Sequence, residues 1–408
     1  MRIIFSFIIC LGLTISINAQ RCSTSQYIQR SISAFATTPT TPNTETILRD
    51  TLPNEVIVIP VVIHVLYHTK EENISDQQVL SQLVALNKDY RRQNADTVNT
   101  PAAFKGVAAD TRIVFCLAKV DPDGNYTSGI IRKYTNTDFF LSDDAMKYSK
   151  SGGDDIWDSK KYLNVWVCNL FGRTLGYSVM PGAPADKDGV VIQYNVFGTT
   201  PNLAAPYNKG RTVTHEVGHW LGLKHLWGDA VCGDDGIDDT PTQQTNNSGC
   251  PGFPHLSNCS INFNGDMFMN FMDFTDDACM NMFTNGQKKE MRSLFASGNV
   301  RNSFLNSAAC DSSLAHGGPL PSDTSSHETI TLSVYPNPFV NAVNIVGSSL
   351  NEVNGKTVTL YDITGKLFLS QILSSQKTSL NVSKLPAGIY LLKIYGGADS
   401  PRLYKLVK

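Results

Sequence analysis

The 408-residue chain is short of charge: only 17% of its residues are Asp, Glu, Lys or Arg, and 34 Lys+Arg against 36 Asp+Glu leave a formal net charge of −2. No long basic block is present, so the electrostatic footprint that nucleic-acid binding needs is missing. No long apolar run occurs beyond the N-terminus, so no membrane span is expected once that segment is removed. Internal repeats and an EF-hand pattern are also lacking. What remains is 41% hydrophobic residues over a length sufficient for two or three packed units.

Met1-Arg2, the apolar run from Ile3 to Ile17, and Asn18-Ala19-Gln20 give the charged start, short apolar core and small residue of a secretory signal peptide, assigned to residues 1–19. Residues 20–48 are rich in Ser, Thr and Pro and show no apolar periodicity, so an extended pro-segment is expected. The main domain is placed at 49–310. It opens with the β-branched run Val56 to Tyr67, followed by Ser75-Asp76-Gln77-Gln78, a capping box for a helix that carries Val79, Leu83, Leu86 and Tyr90 on one face. Further strands are expected at 112–120, 163–169, 175–179 and 190–194. Residues 311–329 have linker composition, and 330–408 alternate over short strands as a small all-β sandwich.

The segment Thr212 to His225 carries the chemistry. On a helix His215 and His219, four residues apart, project from one face, so two imidazole nitrogens can meet one Zn²⁺. Gly222 can adopt a left-handed conformation, end the helix and bring His225 in as a third ligand from another direction. Three neutral ligands leave a fourth position open to water, the catalytic arrangement, and Glu216 beside them can act as general base. An amphipathic helix with incidental histidines does not require all five positions to agree.

The string has the form His-Glu-x-x-His-x-x-Gly-x-x-His and resembles the metzincin zinc metalloproteases. Ile59 to Val65, Leu86 to Arg92, Leu163 to Cys168 and above all Asn270 to Thr284 extend the resemblance to the pappalysin or cytophagalysin family, over residues 55–300. The resemblance implies an α+β catalytic domain, a twisted sheet plus helices with zinc in a cleft, and a secreted zinc metalloendopeptidase acting on proteins or peptides. It also implies that Met272 is the Met-turn methionine under the zinc, and that Leu175-Gly176-Tyr177-Ser178 is the edge strand to which substrate adds, with Gly176 and Tyr177 substrate-binding. Asp276 or Asp277 would favour Arg or Lys after the scissile bond. Disulfides Cys232–Cys259 and Cys250–Cys279 are implied too, where sequence alone permits three pairings; Cys116, Cys168 and Cys310 stay open. A calcium ion is implied in the loop Cys232 to Pro241, with Asp235, Thr240 and the Ile237 carbonyl as ligands.

One departure is Phe274, where the family usually carries Tyr; Phe cannot hydrogen-bond an oxyanion. It motivates a rival reading, a catalytically weak zinc-binding surface adhesin. Arg21-Cys22-Ser23-Thr24 resembles the motif by which family zymogens place a thiolate on the zinc, so Cys22 is a candidate ligand in the latent form, with the bond Leu48 to Arg49 a candidate self-processing site. Residues 330–408, through Val334-Tyr335-Pro336-Asn337-Pro338-Phe339, Leu360 to Lys366, Leu385 to Tyr390 and Lys405 to Lys408, resemble the sorting domain of type IX secretion cargo. That implies type IX machinery as a partner and a secreted or cell-surface product.

Overall fold

The computed structural model describes residues 21–34, 55–203, 205–259, 264–311, 313, 333–336, 339–347, 353–362, 366–396 and 399–408. The expected signal peptide, the Leu48 to Arg49 bond and nearly all of the expected linker lie outside the described residues. The chain divides into two units after residue 319. Among the described residues no helix is long and apolar enough to cross a membrane.

The first unit is built on β1 (Ile57–Tyr67), whose residues are buried except at Val58 and the partly covered Tyr67. Such a continuous apolar run suits a strand flanked by parallel neighbours and covered on both faces. The sheet order is β2 (Ile113–Leu117), β1, β4 (Leu163–Cys168), β6 (Gly189–Gln193), β5 (Gly176–Ser178), with β3 (Ile130–Tyr134) parallel to the second half of β1. Pro60 is tolerated inside β1 because β4 pairs only from Val61 onward, so β1 has the single neighbour β2 at the position that lacks an N–H. β5 is the antiparallel edge.

Helices α2 (Asp76–Tyr90) and α4 (Arg211–Trp220) pack together on the sheet, while α1 (Thr24–Ala34), α3 (Ala102–Lys105) and α5 (Asn285–Ser293) are peripheral or lower elements. Ser75 caps α2 by accepting from Gln78 N, but the Gln78 side chain donates to Tyr194 O and Phe197 O, so only half of the expected capping box forms. The strands read from sequence are present within a few residues, and β3 is additional; its side chains are mostly half-covered, which erases the period-two signal. The larger correction is α1. Composition predicts an extended leader, yet Thr24–Ala34 is helical. Tyr27 is buried and Ile28 packs against the main core, so docking rather than periodicity stabilises this helix.

The second unit has two sheets, β10 (Leu367–Ile372), β9 (Thr357–Asp362), β12 (Ile389–Gly396), β13 (Asp399–Val407), and β11 (Lys377–Asn381), β8 (Ala342–Val346), β7 (Ser333–Tyr335). Val343, Ile345, Val358, Leu360, Leu392 and Ile394 share its core. The all-β expectation holds, and β10 is an edge strand exposed along most of its length, which leaves no alternation to read.

The C-terminal end of α4 is locked by charge. Asp188 accepts from Trp220 Nε1 at 2.7 Å and from Arg301 at 2.5 and 3.0 Å, and the guanidinium lies 3.8 Å above the Trp220 ring. Asp188→Ala leaves Arg301 buried without its partner and is expected to cost about 3–5 kcal/mol in urea unfolding; a loss below about 1 kcal/mol would show that the pair does not hold this end of α4.

Candidate active site

Gly222 decides the local geometry. It sits at φ 90°, and its N–H donates to His219 O while Leu223 N donates to Gly218 O, the paired bonds of a Schellman motif that ends α4. The chain then turns back and His225 meets the two helical histidines: the three Nε2 atoms lie 3.1, 3.1 and 3.3 Å apart.

Each opposite nitrogen is committed. His215 Nδ1 is 2.7 Å from Phe271 O, His219 Nδ1 is 2.7 Å from Leu223 O, and His225 Nδ1 is 2.5 Å from Asp229 Oδ1. All three acceptors require a proton on Nδ1, so three Nε2 lone pairs face one another with no hydrogen between them. Burial holds His215 well below the usual imidazole range and His219 at about 3, which keeps these two rings neutral. Four nitrogens at about 2.1 Å from one zinc would stand about 3.4 Å apart, so the observed spacing fits Zn²⁺. The Cys22 sulfur joins these nitrogens in a single group of potential ligand atoms, all within 4.8 Å of one another.

The floor comes from the segment after the lower loop. Met272 is fully buried, and a Cβ at Gly218 would lie 2.5 Å from its sulfur, so α4 approaches this turn closely only because position 218 has no side chain. Asp273 accepts from Asn247 N, Asn247 Nδ2, Gln243 Nε2 and Phe274 N at 2.7–3.0 Å; burial pushes its carboxyl up to about 6. The Phe274 ring stands 5.6 Å from His215 and 4.8 Å from His225, and Trp227 stacks on His225 at 4.5 Å. The position without a phenol is therefore beside the cluster.

The leader crosses this site. Arg21 pairs with buried Asp277 at 2.7 Å and donates to Thr275 O; Cys22 Sγ is 3.5 Å from His219 Nε2. Ser23 N donates to Gly176 O at 3.1 Å, and Ser178 N donates to Thr24 Oγ1 at 2.9 Å, so the leader occupies the free edge of β5. Thr24 donates in turn to Glu216 Oε2 at 2.9 Å, while buried Oε1 has no hydrogen-bond partner. Burial pushes Glu216 up to about 8 against the pull of Cys22, Thr24 and Arg21.

Some expected residues fall elsewhere. Tyr177 does not face the cleft: its register partner is Val191 and its ring is buried, donating to Asp144. Ser178 N is the edge group that sequence reading missed, since a main-chain donor leaves no side-chain signal. Of the two acids, Asp277 and not Asp276 meets Arg21. Disulfides join Cys232 to Cys259 and Cys250 to Cys279; Cys310, for which the sequence shows no evident partner, bonds Cys116, and Cys168 is a buried thiol. Asp235, Thr240 and the Ile237 carbonyl do converge, with Thr240 Oγ1 2.8 Å from both Asp235 Oδ1 and Ile237 O.

Residues 146–296 match the family model described as pregnancy-associated plasma protein-A, and 333–407 match the secretion system C-terminal sorting domain. Mature mirolysin of Tannerella forsythia, solved with a cleaved peptide, is 49% identical, with a TM-score of 0.61 over 62% of this chain and 97% of that one. The chain belongs to the pappalysin family of metalloproteases. A Tannerella forsythia promirolysin mutant is 48% identical, with a TM-score of 0.62 over 63% of this pappalysin and 86% of that chain. An extracellular metalloprotease of Arthroderma benhamiae is 31% identical over 262 residues, 60% of this pappalysin and 76% of that protein. The match to extracellular metalloprotease 1 of Coccidioides posadasii, 39% identical over 142 residues, covers 33% of this chain, so it spans about half, 49%, of that curated relative.

Asp229 lies four residues after His225 and is the least covered of the three Nδ1 acceptors, so its loss disturbs the cluster with little risk to the fold. Asp229→Ala should weaken zinc binding by about ten- to a hundredfold. Competition with a chromogenic chelator measures this, and an unchanged affinity would remove Asp229 from the site.

Proposed function

We propose that this pappalysin is a secreted zinc endopeptidase made as a latent precursor. The observation that carries the reading is the set of three Nε2 lone pairs converging beside a buried carboxyl with one free oxygen. Extracellular metalloprotease relatives favour it over the adhesin alternative.

His215, His219 and His225 would hold Zn²⁺, which supplies a Lewis acid that polarises a peptide carbonyl and acidifies a water at the open position. Glu216 then takes the proton from the attacking water at Oε1 and delivers it to the departing amine nitrogen. With the leader gone, Gly176 O and Ser178 N pair with the main chain of an extended substrate, and Asp277 receives an Arg or Lys side chain after the scissile bond, as it receives Arg21 in the precursor. Phe274 adds no hydrogen bond to the developing oxyanion, which lowers the expected rate relative to a tyrosine-bearing site. Met272 serves as the apolar floor.

In the precursor, Cys22 would supply a thiolate at the position that water needs, and Thr24 donates to the Glu216 carboxyl that would accept the proton. Cleavage between Leu48 and Arg49 is the proposed release step. Calcium at Asp235, Thr240 and Ile237 belongs to the same reading: three oxygen donors fit a hard cation, with further oxygens needed to reach six or more. Residues 330–408 are proposed to engage the type IX secretion machinery, after which the unit is dispensable for catalysis.

Glu216→Ala should keep its zinc by metal analysis while peptide turnover falls at least about a hundredfold; wild-type turnover in a zinc-loaded mutant would overturn the assignment. Full-length Cys22→Ala should hydrolyse peptide without the initial lag of the wild-type precursor, and a lag of unchanged length would dispose of the thiolate block.

A further inference from the structure

The leader is held at a second place that the metal reading does not use. One turn beyond Thr24, Tyr27 is buried, with its ring 5.0 Å from that of Tyr177 and its hydroxyl donating to Asp144 Oδ2 at 2.7 Å. The receiving socket is built wholly by the catalytic unit. Tyr177 donates to Asp144 Oδ1 at 3.1 Å, and Lys147, itself fully buried, stands 2.8 Å from the same oxygen. Lys147 also donates to Lys187 O at 2.7 Å and faces the rings of Tyr27, Trp166 and Tyr177 at 5.3–5.7 Å.

Two features mark this as a receptor for a phenol rather than packing alone. Asp144 Oδ2 has Tyr27 as its near partner and Lys187 Nζ only at 3.5 Å, so without the leader this oxygen loses its one short hydrogen bond. Lys147 is also fully buried among three aromatic rings, so the socket offers a cation to a ring as well as an acceptor to its hydroxyl.

We propose that Asp144, Lys147, Lys187 and Tyr177 form a binding site for a tyrosyl side chain, which Tyr27 fills to hold the leader over the cleft independently of the metal. The ligand class is a tyrosine presented on a short helix. The ring rests on Tyr177 beside the Lys147 cation, and the hydroxyl satisfies the carboxylate. An apolar ring without the hydroxyl would leave Asp144 Oδ2 short of a donor. The proposal rests on the reading of residues 20–48 as a removable leader, but not on any hydrolysis.

The test uses the full-length chain stripped of metal by chelation, so that thiolate ligation plays no part. Cys22 is alkylated with iodoacetamide and the modified peptide is quantified by mass spectrometry, with buried Cys168 as the internal control for global unfolding. Tyr27→Phe, which keeps the ring, should raise the Cys22 rate about tenfold while Cys168 stays protected. Asp144→Asn should do the same, and the double variant should exceed neither single one, because both remove one interaction. In a second arm, a synthetic peptide of residues 21–34 carrying Cys22→Ala is titrated onto chelated enzyme freed of its leader, and its Tyr27→Phe version should bind about tenfold more weakly. Equal Cys22 rates in wild type and Tyr27→Phe, multiplying effects in the double variant, or equal affinities of the two peptides would overturn the site. Failure to cleave peptides after zinc is restored would instead count against the peptidase reading and leave these rates untouched.

Discussion

Three imidazole nitrogens held 3.1–3.3 Å apart with their protons committed elsewhere repel one another unless a cation sits between them. Much of the first unit can be understood as the apparatus that enforces this. α4 fixes two rings, the turn at Gly222 delivers the third, and the segment around Phe271 receives the His215 proton while setting Met272 against Gly218. The segment from Cys232 to Cys279, irregular over most of its described residues, is held by two disulfides and by Asp273, which gathers four donors. The arrangement costs free energy without metal, so a bound cation would stabilise the fold that creates it.

The legibility of this site in the sequence depends on how far apart its parts lie along the chain. Residues 215, 216, 219, 222 and 225 fall within a few helical turns, so spacing alone carries their geometry. Asp229 is within reach of the same argument, being four residues past His225, but an acid in a turn has many other uses. Asp144 and Ser178 give no local sign, since one acts across the fold on a leader tyrosine and the other through its amide. The strands of the first sheet are readable because their apolar runs are continuous, whereas β3 and β10 are partly or mostly exposed and carry no period. The helical leader is illegible for a related reason: α1 gains its order from contacts with Asp144, β5 and Glu216 that no local window contains.

The bond between Cys116 and Cys310 joins β2 to the end of the first unit over 194 residues. A link closing so long a loop restricts the unfolded chain strongly in the loop-entropy account. It also ties off the first unit within itself, before the break after residue 319, so the stability of the catalytic unit need not depend on the second unit. A separable sorting unit requires such an arrangement, because a core shared across the boundary could not lose its second half.

The leader meets the edge of β5 and the histidine cluster with different chemistry at each point. Arg21 pairs with Asp277, Ser23 N donates to Gly176 O, Thr24 Oγ1 accepts from Ser178 N, and the Cys22 sulfur stands beside His219 Nε2. Thr24 also donates to Glu216, so neighbouring residues at one helix start reach both the histidine cluster and the carboxyl beside it.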